Sequence, residues 1–130
     1  MTHQLSWELQ NRIIRWAFDT QLNMVALNDA TTRINQMLQD SSTNQTHILL
    51  DMSQTQNDPN LAMMLSSAMI PLFFEDNMGW MVIYGAEDTI KQNLRVSVTR
   101  MMRMRYRVVD TYEEAMATLV KKDSSIPFAL

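Results

Sequence analysis

The sequence predicts a single α/β domain, with a mixed, mostly parallel sheet packed with helices in the order ββαβαβαβα. Three observations carry that expectation. The chain opens on residues that alternate polar and apolar. Two short apolar runs, Ile48–Leu50 and Trp80–Tyr84, have the length and continuity of strands covered on both faces. Between and after those runs lie segments whose apolar residues recur at three and four, the period of a helix packed on one side.

Taken in order, Leu5, Trp7 and Leu9 alternate with Ser6, Glu8 and Gln10, and Ile14, Trp16 and Phe18 alternate with Ile13, Arg15, Ala17 and Asp19. With Asn11-Arg12 as a polar connection, the two segments form an opening hairpin, expected at a half-exposed position in the sheet. Leu27, Ala30, Ile34, Met37 and Leu38 stripe a helix over Met24–Asp40, and Ser41 to Thr46 reads as a loop. After the strand at Ile48–Leu50, Asp58 stands as N-cap and Pro59 as an early residue of a helix striped by Leu61, Met64 or Leu65, Ala68, Met69 and Leu72. Pro71 kinks or ends that helix. Gly85 closes the strand Trp80–Tyr84, and a helix from Asp88 to about Met102 turns Ile90, Leu94, Val98 and Met101 inward. Tyr106–Val109 is a short last strand. Thr111 and Glu114 then have capping-box spacing before a helix that buries Ala115, Met116 and Leu119 and finishes at Lys121-Lys122. Residues 1–123 are expected to form the domain and 124–130 an irregular tail.

Composition narrows the chemistry. The 130 residues are 46% hydrophobic and 19% charged with a net charge of -3, which a disordered chain would not show. There is no Cys, so disulfides, thiolate metal sites and thiol catalysis are excluded. Two Gly cannot build a glycine-rich phosphate loop. An acidic pI of about 5.2 argues against nucleic acid as a partner. No charge-free stretch reaches the roughly 20 apolar residues of a membrane span, and no basic and apolar leader opens the chain. A cytoplasmic protein is the expectation.

The candidate sites are few. His47 is expected as an exposed loop histidine. Asp51 and Asp58 both fall near the carboxyl edge of the sheet, where α/β proteins bind ligands, and are expected to cap a turn and a helix rather than to hold a metal. Arg95, Arg100, Arg103, Arg105 and Arg107 form the one pronounced charge cluster, with no acidic residue between them. A solvated face is the plain meaning of such a run. Its functional meaning is an anion patch, because the planar guanidinium grips carboxylate or phosphate with two parallel bonds. The chain also carries 13 Met, among them the pairs Met63-Met64 and Met101-Met102. One member of each pair must be partly exposed, and such a Met beside the arginines suits a homodimer or another protein interface.

Three strings, Ile48-Leu49-Leu50-Asp51-Met52-Ser53, Met81-Val82-Ile83-Tyr84-Gly85 and the run from Val109 to Leu119, resemble a STAS domain, the module shared by anti-sigma-factor antagonists and the cytoplasmic tails of sulfate transporters. The resemblance spans roughly Leu5 to Lys122. It implies a non-enzymatic regulatory module that presents the start of the second helix, with Asp51, Ser53, Asp58 and Asn60, to an anti-sigma-factor-like protein or a neighbouring signalling domain. It implies no cofactor. Phosphorylated members carry Asp-Ser-Ser-Gly at that helix start, whereas this chain has Asp58-Pro59-Asn60-Leu61. The acceptor hydroxyl is missing, and Ser53, Thr55 and Ser66 do not stand in its place, so the expected module is not phospho-switched. A sensor for an apolar or nucleotide-like small molecule is the alternative, and an enzyme is a third reading for which no catalytic constellation is visible.

Overall fold

A computed structural model describes residues 3–18, 23–41, 45–55, 61–100 and 105–126. The side chains of His3, Leu61, Ala62, Ser66 and residues 95–100 lie outside that description. The strands are β1 (His3–Leu9), β2 (Ile13–Phe18), β3 (Thr46–Asp51), β4 (Met78–Tyr84) and β5 (Tyr106–Val108). The helices are α1 (Met24–Asp40), α2 (Leu61–Met69), α3 (Asp88–Arg100) and α4 (Tyr112–Lys122), with a 3-10 turn at Ile70–Phe74. The strands lie in the order β1-β2-β3-β4-β5, the first pair antiparallel and the others parallel.

The opening hairpin forms because Asn11 accepts a left-handed φ of 64°, which Asn tolerates better than most residues, while the Arg12 amide bonds the Leu9 carbonyl at 2.9 Å. Two expectations for it need correction. Of its two strands only β1 lies at an edge of the sheet. β2 is flanked by β1 and β3, and Ile13, Ile14 and Trp16 are fully buried. Leu9 also does not share a face with Leu5 and Trp7, because the pairing slips between Trp7 and Leu9 and the extra residue, Glu8, reverses the alternation.

Each face of the sheet carries its own core. Ile14, Trp16 and Phe18, Ile48 and Leu50, Met81 and Ile83, and Tyr106 meet α1, α2 and α3 on one face. Ile13, Leu49, Val82 and Tyr84 meet Ala115, Met116 and Leu119 of α4, and Ile126, on the other. This double cover explains the unbroken apolar runs of β3 and β4, since every side chain, up or down, enters a core. Each fully buried Ile or Leu contributes roughly 1.5–3 kcal/mol.

Helix ends follow their local chemistry. Asn23 caps α1, its side-chain oxygen accepting from the Ala26 amide at 2.8 Å. Pro71 ends α2 by opening the 3-10 turn. Thr111 Oγ1 accepts from the Glu114 amide at 3.1 Å, and α4 carries Glu113 and Glu114 in its first turn and Lys121 and Lys122 in its last. The expected cap at Asp58 and early helical Pro59 lie outside the described residues, as do Met101 and Met102. Among the described residues no helix is long and apolar enough to cross a membrane.

Candidate interaction surface

The strand β3 delivers Asp51 to the carboxyl end of the sheet. Asp51 Oδ1 accepts from the Ser53 amide at 2.9 Å, closing a turn, and Oδ2 meets Arg15 at 2.6 Å. Burial opposes ionisation of this carboxyl, but hydrogen bonds from Ser53 and Tyr84 and the charge of Arg15 outweigh it, holding the group below its usual range. Burial and the Asp51 charge raise the Tyr84 phenol in turn. The ring of Tyr84 stands edge-on to Tyr112 at 5.7 Å, and the Tyr112 hydroxyl donates to Glu8, which pushes that phenol up to about 12. Asp51 is thus the centre of an internal polar network, whereas Ser53 is exposed. Gly85 packs against that turn with φ of 81°. A Cβ there would lie 3.0 Å from the Ser53 nitrogen and 3.1 Å from its Cβ, so the close approach of the two loops requires glycine. Asp58 and Asn60 lie outside the described residues.

Beyond this edge, α2 and the 3-10 turn bury Leu65, Ala68, Met69 and Leu72 and leave Met63 and Phe74 71% and 77% exposed. Of the Met63-Met64 pair, Met63 is the exposed one and Met64 is half-buried, packed at the margin of the core. A small cleft of about 220 Å³ lies beside this segment, lined by Thr31, Thr32, Asn35, Pro71, Leu72 and Glu75.

The arginine cluster is only partly placed. Arg95 and Arg100 lie on α3 with undescribed side chains, and Arg103 lies outside the described residues. Arg105 and Arg107 are exposed at β5, the edge strand. Register with Val82 turns Arg107 toward the α4 face, where its guanidinium carbon stands 4.8 Å from the Trp80 ring centroid. Lys122, at the end of α4, places its ammonium 4.7 Å from the same centroid.

His47 is the residue that sequence reasoning misplaced. It is not a loop residue but part of β3, and it is fully buried. Gly79 and Trp80 together oppose it across the β3–β4 pairing, a bulge in a parallel ladder. The Trp80 amide freed by the bulge donates to His47 Nδ1 at 2.8 Å, and His47 Nε2 meets Asp123 at 2.8 Å. Arg12 also holds Asp123, at 3.0 Å. Since Nδ1 accepts, the ring proton sits on Nε2, and a second proton has no place without breaking the Trp80 bond. Burial lowers the His47 pKa against the pull of Asp123, with the charges of Arg12 and Arg105 adding to the lowering. Burial pushes the Asp123 carboxyl the other way, but hydrogen bonds from Ser125, His47 and Arg12 carry it far below the usual range. The one signal available beforehand was Gly79, one of only two glycines.

No protein-family model matches the chain, and no curated protein resembles it in sequence. Solved structures do. The anti-sigma-factor antagonist SpoIIAA in its unphosphorylated form superposes with a TM-score of 0.63 at 11% identity, over 96% of this chain and 99% of that one. The protein TM1081, solved by NMR, superposes with a TM-score of 0.63 at 15% identity, over 94% and 90%. At these identities the likeness is one of architecture: the chain has the fold of an anti-sigma-factor antagonist, the STAS fold.

Proposed function

We propose that this chain is a non-enzymatic, cytoplasmic regulatory module that binds a protein partner through α2 and the 3-10 turn, without a phospho-switch. The observation that carries the proposal is the exposure of Met63 and Phe74 on a segment that buries Leu65, Ala68, Met69 and Leu72 in the core. Met63 stands toward the carboxyl end of the sheet and Phe74 toward the amino end, where the chain enters β4, so the two mark the length of the segment. Large apolar side chains left in water are the usual material of a docking face. The fold shared with SpoIIAA supports a regulatory role, and the string Asp58-Pro59-Asn60-Leu61 offers no hydroxyl for phosphorylation. Small-molecule sensing is the alternative reading; the cleft described beside the 3-10 turn, about 220 Å³, is smaller than the roughly 300 Å³ at which ligand pockets begin, so that cleft does not support it.

The test is affinity capture from the source cells with the wild-type chain and with Phe74→Ser and Met63→Ser, each checked for unchanged circular dichroism. A specific protein retained by the wild type and reduced roughly tenfold by either change is the expected result. Equal retention by all three chains, or a phosphate placed between Ser53 and Ser67 by a co-captured kinase, overturns the reading.

A further inference from the structure

The described cations fall into two groups. Arg12, Arg15, Arg33 and Lys91 each have a carboxylate within ion-pair distance. Arg105, Arg107, Lys121 and Lys122 have none among the described residues, and all four are exposed. Two of them meet in space, Arg107 on the edge strand and Lys122 at the end of the helix that packs over β4, and Arg105 and Lys121 are their neighbours along the chain. At their centre is Trp80, half-buried, with Arg107 and Lys122 tied to its ring at 4.8 and 4.7 Å.

Two features hold this cluster in place. The bulge at Gly79-Trp80, filled by His47, re-aims the indole, and Asp123, bonded to His47 and Arg12, fixes the end of α4 directly after Lys122. Asp123 is the nearest carboxylate in sequence, yet its oxygens are taken by His47, Arg12 and Ser125. Arg107 also donates to the Tyr106 carbonyl at 2.8 Å, so its guanidinium is oriented from both sides. That bond covers a main-chain acceptor of the edge strand, which disfavours strand addition there and leaves side-chain charge as the means of contact.

We infer that Trp80, Arg107 and Lys122, with Arg105 and Lys121 around them, form a docking site for an acidic segment of a protein partner. Adjacent carboxylates on an extended chain match cations tied to one ring, and Arg107 keeps donors for a bidentate contact. Nucleic acid fits less well, because the indole already carries two cations where a base would stack and the whole chain has a net charge of -3. This site lies on the α4 face, distinct from α2. It rests on the reading of the chain as a protein-binding module.

The experiment measures fluorescence anisotropy of a labelled peptide of alternating glutamate and glycine with the full chain, at low salt and at ~0.15 M salt. The probes compared with it are oligothymidylate and phosphatidylserine vesicles. The variants are Arg107→Gln with Lys122→Gln, Trp80→Leu, and Arg33→Gln, which removes a cation on α1 away from this site. Saturable peptide binding, weakened roughly tenfold by the double neutralisation and severalfold by Trp80→Leu but unchanged by Arg33→Gln, is expected. Should Trp80→Leu fail to fold, the exposed double variant decides alone. No peptide binding, an equal loss in Arg33→Gln, or tighter binding of the oligonucleotide or vesicles through Arg107 and Lys122 overturns the inference. Phe74→Ser leaves the peptide affinity within twofold, so failure at α2 and failure at Trp80 are told apart.

Discussion

A buried histidine that accepts a main-chain hydrogen bond on one nitrogen and gives its proton to a carboxylate on the other is neutral in the folded state. His47 is such a residue. Its folded pKa is lowered by burial, so the stability it contributes is present above the unfolded value of about 6.5 and is lost as pH falls through the folded value. Asp123, also lowered, contributes above 3.8 and adds nothing to the slope near neutrality. Urea midpoints taken between about pH 7.5 and 5 are therefore expected to fall for the wild type and to stay flatter for His47→Gln; parallel profiles would refute the assignment. Steric constraint surrounds the same ring. A Cβ on Gly79 would stand 2.7 Å from His47 Cε1 and 2.8 Å from Gln45 Cγ, so Gly79→Ala should destabilise the chain by about 1–3 kcal/mol in urea denaturation. Tyr106 presents the opposite case. Among the described residues its buried hydroxyl has no hydrogen-bond partner, and burial raises its pKa so that the phenol stays neutral. Tyr106→Phe removes an unsatisfied group at constant shape and should leave stability unchanged or raise it by up to about 1 kcal/mol. A loss of that size instead would show that the hydroxyl has a partner.

Among the elements, α4 has the clearest local signals, and its cap is open to a direct test. Thr111→Ala deletes the acceptor of the Glu114 amide and is expected to lower stability by about 1 kcal/mol in the same urea assay, with no change in the peptide affinity of the Trp80 surface. Such signals explain which elements were legible. The bounds of α1, the core of β3 and β4, the stop at Pro71 and the cap at Thr111 each depend on periodicity or on a residue with one local job, and those survive in a sequence. What was not legible depends on pairing. The bulges at Glu8 and at Gly79-Trp80 shift which residues face each other, so Leu9 changes face and His47 enters the core without altering its own neighbours in the chain. The interior place of β2 likewise comes from its parallel partner β3, to which nothing within the hairpin points. At the candidate surface, the charge of Arg105 and Arg107 could be read, but the role of Trp80 and Lys122 beside them could not, because they come from different elements brought together across β4.

At the scale of the molecule the sheet is covered unequally. Three helices and the 3-10 turn bury one face, whereas α4 with Ile126 covers the other nearly alone. Less apolar surface seals the second layer, so it should open at a lower free energy than the first. Two polar links hold it down: Tyr112 to Glu8 at the start of α4, and Asp123 to His47 and Arg12 at its end. When His47 takes a proton, the Trp80 amide loses its acceptor and a charge is left buried beneath the end of α4. The stronger contact to Asp123 offsets this only in part, since the His47 pKa is lowered overall, so the bulge and the end of α4 loosen together. Native-state amide exchange should therefore show α4 less protected than α1 and the central strands at neutral pH. On lowering the pH toward 5, protection of α4 should fall further, while α1 keeps its own. In His47→Gln the pH-dependent part of that loss should vanish, and acidic-peptide binding at Trp80 should then vary with pH only as the peptide's own glutamates titrate, since the same bulge sets both. Uniform protection across the two layers, or an α4 whose protection ignores pH, would separate the buried histidine from the surface it is argued to position.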